Sequence, residues 1–238
     1  MEPKDISGRK RAKTMKATKA KKMLKVELHC HTRHKKDPYI EYGWKELIDH
    51  YASLKYDILA ITNHHELFYD KEAFAYAKKK GILMIPSTEA SVEGRDILII
   101  NIRKDEKIPS TFEELKKFKR ESSLIIAPHP FFIMHSLGKE LEKHIELFDG
   151  IEYSHFYTGF FNLNSGAKRI AEKYNLPMIG TSDTHHLFQA GQTYTMVDCS
   201  KNPDSLIKAI KRKKCRLVTK GLQLLHFLRI VYFGITSR

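Results

Sequence analysis

The sequence predicts an α/β fold assembled from βα units, arranged as a parallel sheet or a barrel. Two patterns carry that prediction. From Met23 onward, short apolar runs alternate mostly one for one with segments of helical spacing. In addition, imidazoles and carboxylates recur at the C-terminal ends of successive apolar runs, where the loops of a βα barrel build active sites.

The expected strands are LKVELHCH (24–31), DILAITNH (57–64), ILMIPSTE (82–89), DILIIN (96–101), SLIIAPHP (123–130), GIEYSH (150–155), PMIGTSD (177–183) and CRLVT (215–219). Helices are expected between them. Trp44, Leu47, Ile48 and Tyr51 recur at helical spacing, and segment 70–80 ends on Gly81 as a C-terminal glycine. Ser110 with Glu113 reads as a capping box ahead of 111–121, and Asn202-Pro203 supplies a cap and a first-turn proline for 203–213. No internal repeat or domain-splitting linker interrupts the pattern.

Composition narrows the class. A chain of 238 residues that is 42% hydrophobic and 11% aromatic can bury one sizeable core. Its three cysteines (Cys30, Cys199, Cys215) are widely separated and make neither a disulfide framework nor a CxxC zinc site, so a reducing, cytoplasmic setting is expected. Residues 1–25 are basic and lack the apolar centre of a signal peptide, and no run is long enough to span a bilayer. The net charge of +14 is concentrated at the start: ten Lys/Arg stand against Glu2 and Asp5 up to Lys25. A disordered basic tail is expected over 1–22, a folded domain over 23–220, and an apolar helix packed on the domain over 221–238.

ELHCHTRHKKD (27–37) poses the functional question. Two histidines around a cysteine fit a redox or zinc-finger fragment, a basic patch, or part of a catalytic metal site. Strand alternation places His29 and His31 on one face with Glu27, and Val26, Leu28 and Cys30 on the other, toward covering helices. Cys30 then reads as a packing residue, and Glu27 as a partner that orients an imidazole. Later runs end in His64, Glu89, His129, Glu152 with His155, and Asp183 with His185. Six strand ends delivering imidazoles and carboxylates to one rim suit a divalent-metal site.

HxHT (29–32), TNH (62–64), Glu89, APHP (127–130), IEYSH (151–155) and SDTH (182–185), in this order, resemble the successive motifs of the PHP (polymerase and histidinol phosphatase) family of metal-dependent phosphoesterases. The resemblance runs from about residue 24 to 220. It implies a distorted (β/α)7 TIM-like barrel holding two or three divalent ions, Mn²⁺, Zn²⁺ or Fe²⁺. Carried over position by position, it implies metal ligands at His29, His31, Asp37, His64, Glu89, His129, His155, Asp183 and His185. Glu89 is expected to bridge ions and to act in catalysis with His129, Asp183 and Arg33, the last as a phosphate contact. Asn63 departs from the aspartate usual beside the motif histidine, and His34-Lys35 from the usual Tyr-Ser.

The expected reaction is hydrolysis of a phosphate mono- or diester by water activated at the metal centre, on a small phosphorylated substrate. His34 or a metal-bound water is a candidate proton donor to the leaving group. Two other readings remain: a nuclease acting on DNA or RNA ends, helped by the basic tail, and a non-catalytic binding module on a PHP barrel.

Overall fold

The computed structural model describes residues 23–132, 135–158 and 162–222, together with His226 and Arg229. The basic segment expected at 1–22 and most of the helix expected at 221–238 lie outside the described residues. Among the described residues, no helix is long and apolar enough to cross a membrane.

Among the described residues, ten strands form two five-stranded sheets. The first contains β1 (Leu24–Glu27), β2 (Ile58–Leu59), β3 (Leu83–Met84), β9 (Thr193–Val197) and β10 (Cys215–Thr219), in the order β10-β9-β1-β2-β3. The second contains β4 (Ser87–Val92), β5 (Arg95–Ile100), β6 (Leu124–Ala127), β7 (Gly150–Ser154) and β8 (Met178–Thr181), in that order. The helices are α1 (Trp44–Ser53), α2 (Lys71–Lys79), α3 (Phe112–Phe118), α4 (Glu140–Lys143), α5 (Ser165–Lys173) and α6 (Pro203–Lys211).

The fold is therefore α/β, but not the uniform succession of parallel βα units expected. Four neighbouring pairs are parallel (β1–β2, β2–β3, β6–β7, β7–β8) and four are antiparallel (β4–β5, β5–β6, β1–β9, β9–β10). The physical reasons are local. Pro86 has no N–H to donate, and it interrupts the run expected as one strand over 82–89. β3 stays in the first sheet while β4 opens the second. Only Glu93 and Gly94 then separate β4 from β5, with φ of 49° and 75°. Two residues in the left-handed region make a tight hairpin and leave no length for a crossover helix. β9, TYTMV, alternates polar with apolar side chains and was not among the expected strands.

The two sheets meet through single bridges at the site end. Cys30 pairs in parallel with Thr184, and His64 with Glu89. The His31 N–H donates to the Thr184 carbonyl at 3.1 Å, and the Thr62 N–H to the Cys30 carbonyl at 2.8 Å. These contacts bring the ends of β1, β2, β4 and β8 together.

The helix ends follow side-chain chemistry. Asp70 caps α2 by accepting from Glu72 and Ala73 at 2.8 and 2.9 Å. Asn202 caps α6 through Ser205 at 2.8 Å, ahead of Pro203, and Gly81 follows α2 at φ 78° as expected. The cap of α3 is displaced by one residue from the expected Ser110–Glu113 pair. Thr111 accepts from the Glu114 N–H at 3.1 Å, while Ser110 donates to the Glu114 carboxylate.

Among the described residues, three apolar clusters make up the core. Cys30 is fully buried against Leu47, Ile48 and Tyr51 of α1, the packing role expected of it. Val26 and Leu28 depart from expectation: they pack with Leu98, Ile126 and Ile179 of the second sheet and with α6. Strand alternation does not survive past Glu27, because the Glu27 carboxylate accepts the N–H groups of Leu28 and His29, both at 3.1 Å. The β1 ladder ends there.

β10 crosses β8 closely at Gly180. A Cβ on that residue would meet the Tyr194 carbonyl oxygen at 2.7 Å and collide with the Leu217 side chain. The backbone of β9 cannot yield cheaply, so Gly180→Ala is expected to destabilise the protein by about 1–3 kcal/mol. A lower urea midpoint with an unchanged slope would register this, and an unchanged midpoint would contradict it.

Candidate metal centre

The segment past β1 delivers His29 and His31, both fully buried. The β1–α1 loop brings Asp37, the end of β2 His64, β4 Glu89, the turn after β6 His129, and the turn after β8 Asp183 and His185. Glu89 lies at the middle. Its Oε2 is 3.2 Å from His29 Nε2, 3.4 Å from His31 Nε2 and 3.2 Å from His64 Nε2, and its Oε1 is 3.3 Å from His129 Nε2. Asp183 Oδ1 lies 3.3 Å from each of His29 Nε2, His31 Nε2 and His185 Nδ1.

Ligand-type atoms fall into three overlapping groups, each with its atoms within 4.8 Å of one another: His31, His64 and His185; His29, Glu89 and His129; and His29, His31 and Asp183. Seven of the nine expected ligand positions are thus gathered. Asp37 joins through His64, whose Nδ1 is 2.6 Å from Asp37 Oδ2. His155 is buried beside them, its Nε2 at 3.3 Å from the Gln189 side-chain nitrogen.

The donor set fits divalent cations. Both ring nitrogens of His31, Nδ1 of His129, Nδ1 of His155 and Oδ1 of Asp183 are buried with no hydrogen-bond partner. Unmet buried polar atoms are costly, and two of these, His31 Nε2 and Asp183 Oδ1, lie 3.3 Å apart, where a cation would satisfy both. Mixed imidazole and carboxylate donors suit Mn²⁺, Zn²⁺ or Fe²⁺.

The electrostatics agree. Burial, with His185 and His64 alongside, pushes the His31 pKa down to about 3, and burial takes His155 down to about 4. Both rings are neutral at pH 7, with a lone pair to give. Burial also disfavours the charged forms of His64 and His129, but the surrounding carboxylates together outweigh it, Glu89 with Asp37 at His64 and Glu89 with Glu152 at His129, and raise each to about 9. Burial opposes ionisation of Glu89 and Asp183, yet the imidazoles around them, His29 foremost, hold both carboxyls well below the usual range.

Backbone strain marks the same place. His129 has φ 24° and Asp183 φ 43°, in the left-handed region that side chains other than glycine rarely adopt. Such strain persists where surrounding contacts over-determine it, commonly at functional sites.

Several supporting residues have roles the sequence did not disclose. Glu152, fully buried on β7, accepts from His29 Nδ1 at 2.7 Å, from the His129 N–H at 2.5 Å and from the Thr181 hydroxyl. It is the carboxylate that orients an imidazole, the role expected of Glu27. Glu27 instead accepts the Ser182 hydroxyl at 2.6 Å and its N–H at 3.2 Å, tying the Asp183 turn to β1; burial raises its pKa to about 7. Gln189 accepts the N–H groups of His185 and His186 at 2.7 and 2.6 Å. A Gln three residues after His186 is a capping pattern visible in the sequence. Asn63 accepts the Thr32 N–H at 2.9 Å and donates to the Thr32 hydroxyl at 3.1 Å, which joins the first two loops with an amide acting both ways.

Two expected contributors stand apart. Arg33 is exposed, and its backbone N–H is bound to the Tyr42 carbonyl at 2.9 Å. His34 is turned into its own loop, with Nδ1 at 3.0 Å from the Thr32 carbonyl and 3.4 Å from Asp37, and Nε2 at 3.4 Å from the His64 carbonyl.

Fold and cluster together define a mixed α/β protein with a candidate metal centre at its strand ends. A family model described as PHP-associated matches residues 162–215. An uncharacterized protein of Methanocaldococcus jannaschii is 26% identical over 180 residues, covering 72% of this chain and 69% of that protein. PsfC from Pseudomonas syringae shares the fold with a TM-score of 0.63 at 16% identity, over 91% of this chain and 98% of that one. A candidate metal-dependent phosphoesterase from Bifidobacterium adolescentis does so with a TM-score of 0.53 at 13% identity, over 84% and 98%. The family model matches the part of the chain that carries the SDTH motif, and the two solved structures share its fold.

Proposed function

We propose that the chain is a metal-dependent phosphoesterase that hydrolyses a small phosphate mono- or diester. The observation that supports this most is the convergence of His29, His31, His64, Glu89, His129, Asp183 and His185 with buried, unpartnered ligand atoms among them. In this reading the two sheets, bridged at Cys30–Thr184 and His64–Glu89, form a distorted barrel of the PHP type, and residues 23–220 are one catalytic domain.

Divalent ions bound there would supply Lewis acidity toward phosphoryl oxygens and lower the pKa of water. The chain's own residues set the geometry. Glu89 lies among four imidazoles, and His31, His64 and His185 would hold one ion, His29, Glu89 and His129 a second, and His29, His31 and Asp183 a third. Asp37 and His155 complete the set. Glu152 on His29 Nδ1 and Asp37 on His64 Nδ1 each fix which ring nitrogen faces the centre. Arg33, exposed on the adjacent loop, is available to an anionic substrate.

The test is a panel of phosphate esters offered to metal-reconstituted protein. Metal-dependent release of phosphate from an aryl phosphate, abolished by chelation, is expected. Full metal loading without hydrolysis of any phosphate ester would contradict the proposal and favour a binding module.

Metal uptake should also displace protons. His64 and His129, raised to about 9, carry protons at pH 7.5 in the metal-free protein, and a ligating nitrogen must be free. Affinity is therefore expected to rise with pH and to level off above pH 9. Calorimetry in buffers of different ionisation enthalpy reads the release directly, and buffer-independent heats at pH 7.5 would contradict it.

A further inference from the structure

Tyr39 and Tyr69 are the exposed large hydrophobic side chains among the described residues, at 40% and 41%. Tyr69 is covered on its own terms: its ring lies 5.3 Å from Phe74, with the Lys104 ammonium 5.9 Å away. Tyr39 has a different setting. Its ring is nearly parallel to that of His185, 6° between planes and 6.2 Å between centroids. His185 stacks on His31 at 4.3 Å, and His31 on His64 at 4.4 Å. Tyr39, at the surface, is thus the outermost of a packed group of four rings, the three imidazoles of His31, His64 and His185 lying within 5.6 Å of one another in the candidate metal centre.

The loop that carries Tyr39 is fixed at several points. Ile40, next in sequence, is fully buried, and its N–H donates to the Asp37 carbonyl at 3.3 Å. The Tyr42 hydroxyl donates to the Thr184 carbonyl at 3.0 Å, beside Asp183. The phenol is therefore held in place at little further entropic cost on binding. The same loop exposes three cations, Arg33, Lys35 and Lys36, against one carboxylate, Glu41. A flat apolar face on a loop of net positive charge suits a ligand with one aromatic and one anionic end.

We propose that Tyr39 is a specificity-determining residue, a stacking platform that selects phosphate esters bearing a flat aromatic group. The inference rests on the phosphoesterase reading and deepens it by naming the substrate class. With the phosphoryl group at the metal centre, an aromatic substituent would lie against the exposed part of the Tyr39 ring. Offset and parallel aromatic pairs at these separations are favourable beyond the area they bury.

Binding of phenylphosphonate and methylphosphonate to the metal-loaded protein, measured by calorimetry, tests this without relying on turnover. The wild type should prefer the phenyl compound by about tenfold. Tyr39→Phe should keep that preference. Tyr39→Ala should reduce it to about twofold or less, with methylphosphonate affinity and metal content unchanged, which also shows that the variant is folded. Equal affinity for the two phosphonates in the wild type, or a preference that survives in Tyr39→Ala, overturns the inference and leaves the phosphoesterase reading intact. Binding of neither phosphonate overturns both.

Discussion

Replacing Glu89 with glutamine is expected to lower phosphoesterase activity by at least about a thousandfold, the effect of losing several kcal/mol of metal-borne stabilisation. Glutamine keeps the volume, so the fold should persist. What it removes is the charge that four imidazole nitrogens face at 3.2 to 3.4 Å. One of its two oxygens becomes an amide nitrogen, which cannot ligate and would point donors at donors. Metal content should fall with activity, which separates this outcome from simple loss of a proton-transfer group. His31→Ala should behave likewise, since His31 belongs to two of the three ligand groups. Full activity in both variants would remove the metal centre from the account.

Glu152→Ala should give the largest loss of stability. The glutamate is fully buried and accepts from His29 Nδ1, the His129 N–H and the Thr181 hydroxyl. Alanine leaves those donors without an acceptor inside the protein, at a cost of about 2–5 kcal/mol. For a domain of this size the melting temperature should fall by roughly 10 °C. Because His29 and His129 share a ligand group, metal affinity should also drop by about 10–100-fold. Glu152→Gln keeps one acceptor oxygen and should show a smaller loss of both. A melting temperature within a degree of wild type in Glu152→Ala would contradict this assignment.

The candidate site was more legible in the sequence than the sheet topology. Every ligand-type residue drawn from the motifs lies in or beside the cluster, because motif residues sit at strand ends and strand ends converge in either architecture. The topology depended on smaller signals. Pro86 and the Glu93-Gly94 pair decide where the chain changes sheet and where it reverses, and both are short features inside long apolar runs. β9 was missed because TYTMV alternates threonine with larger side chains and has no continuous apolar run. The exchange of roles between Glu27 and Glu152 has a similar cause. Side-chain alternation applies only while a strand remains paired, and the β1 ladder stops at Glu27. A carboxylate from β7, 123 residues away in sequence from His29, reaches that imidazole instead. Nothing local announces such a partner.

Titration of the chelator-stripped protein with Mn²⁺ or Zn²⁺, with bound metal counted by elemental analysis, decides whether these residues hold metal. Saturable uptake of more than one ion per chain is expected in the wild type, lost or reduced in Glu89→Gln and His31→Ala. No uptake by folded wild-type protein, or the same uptake in both variants, would contradict it.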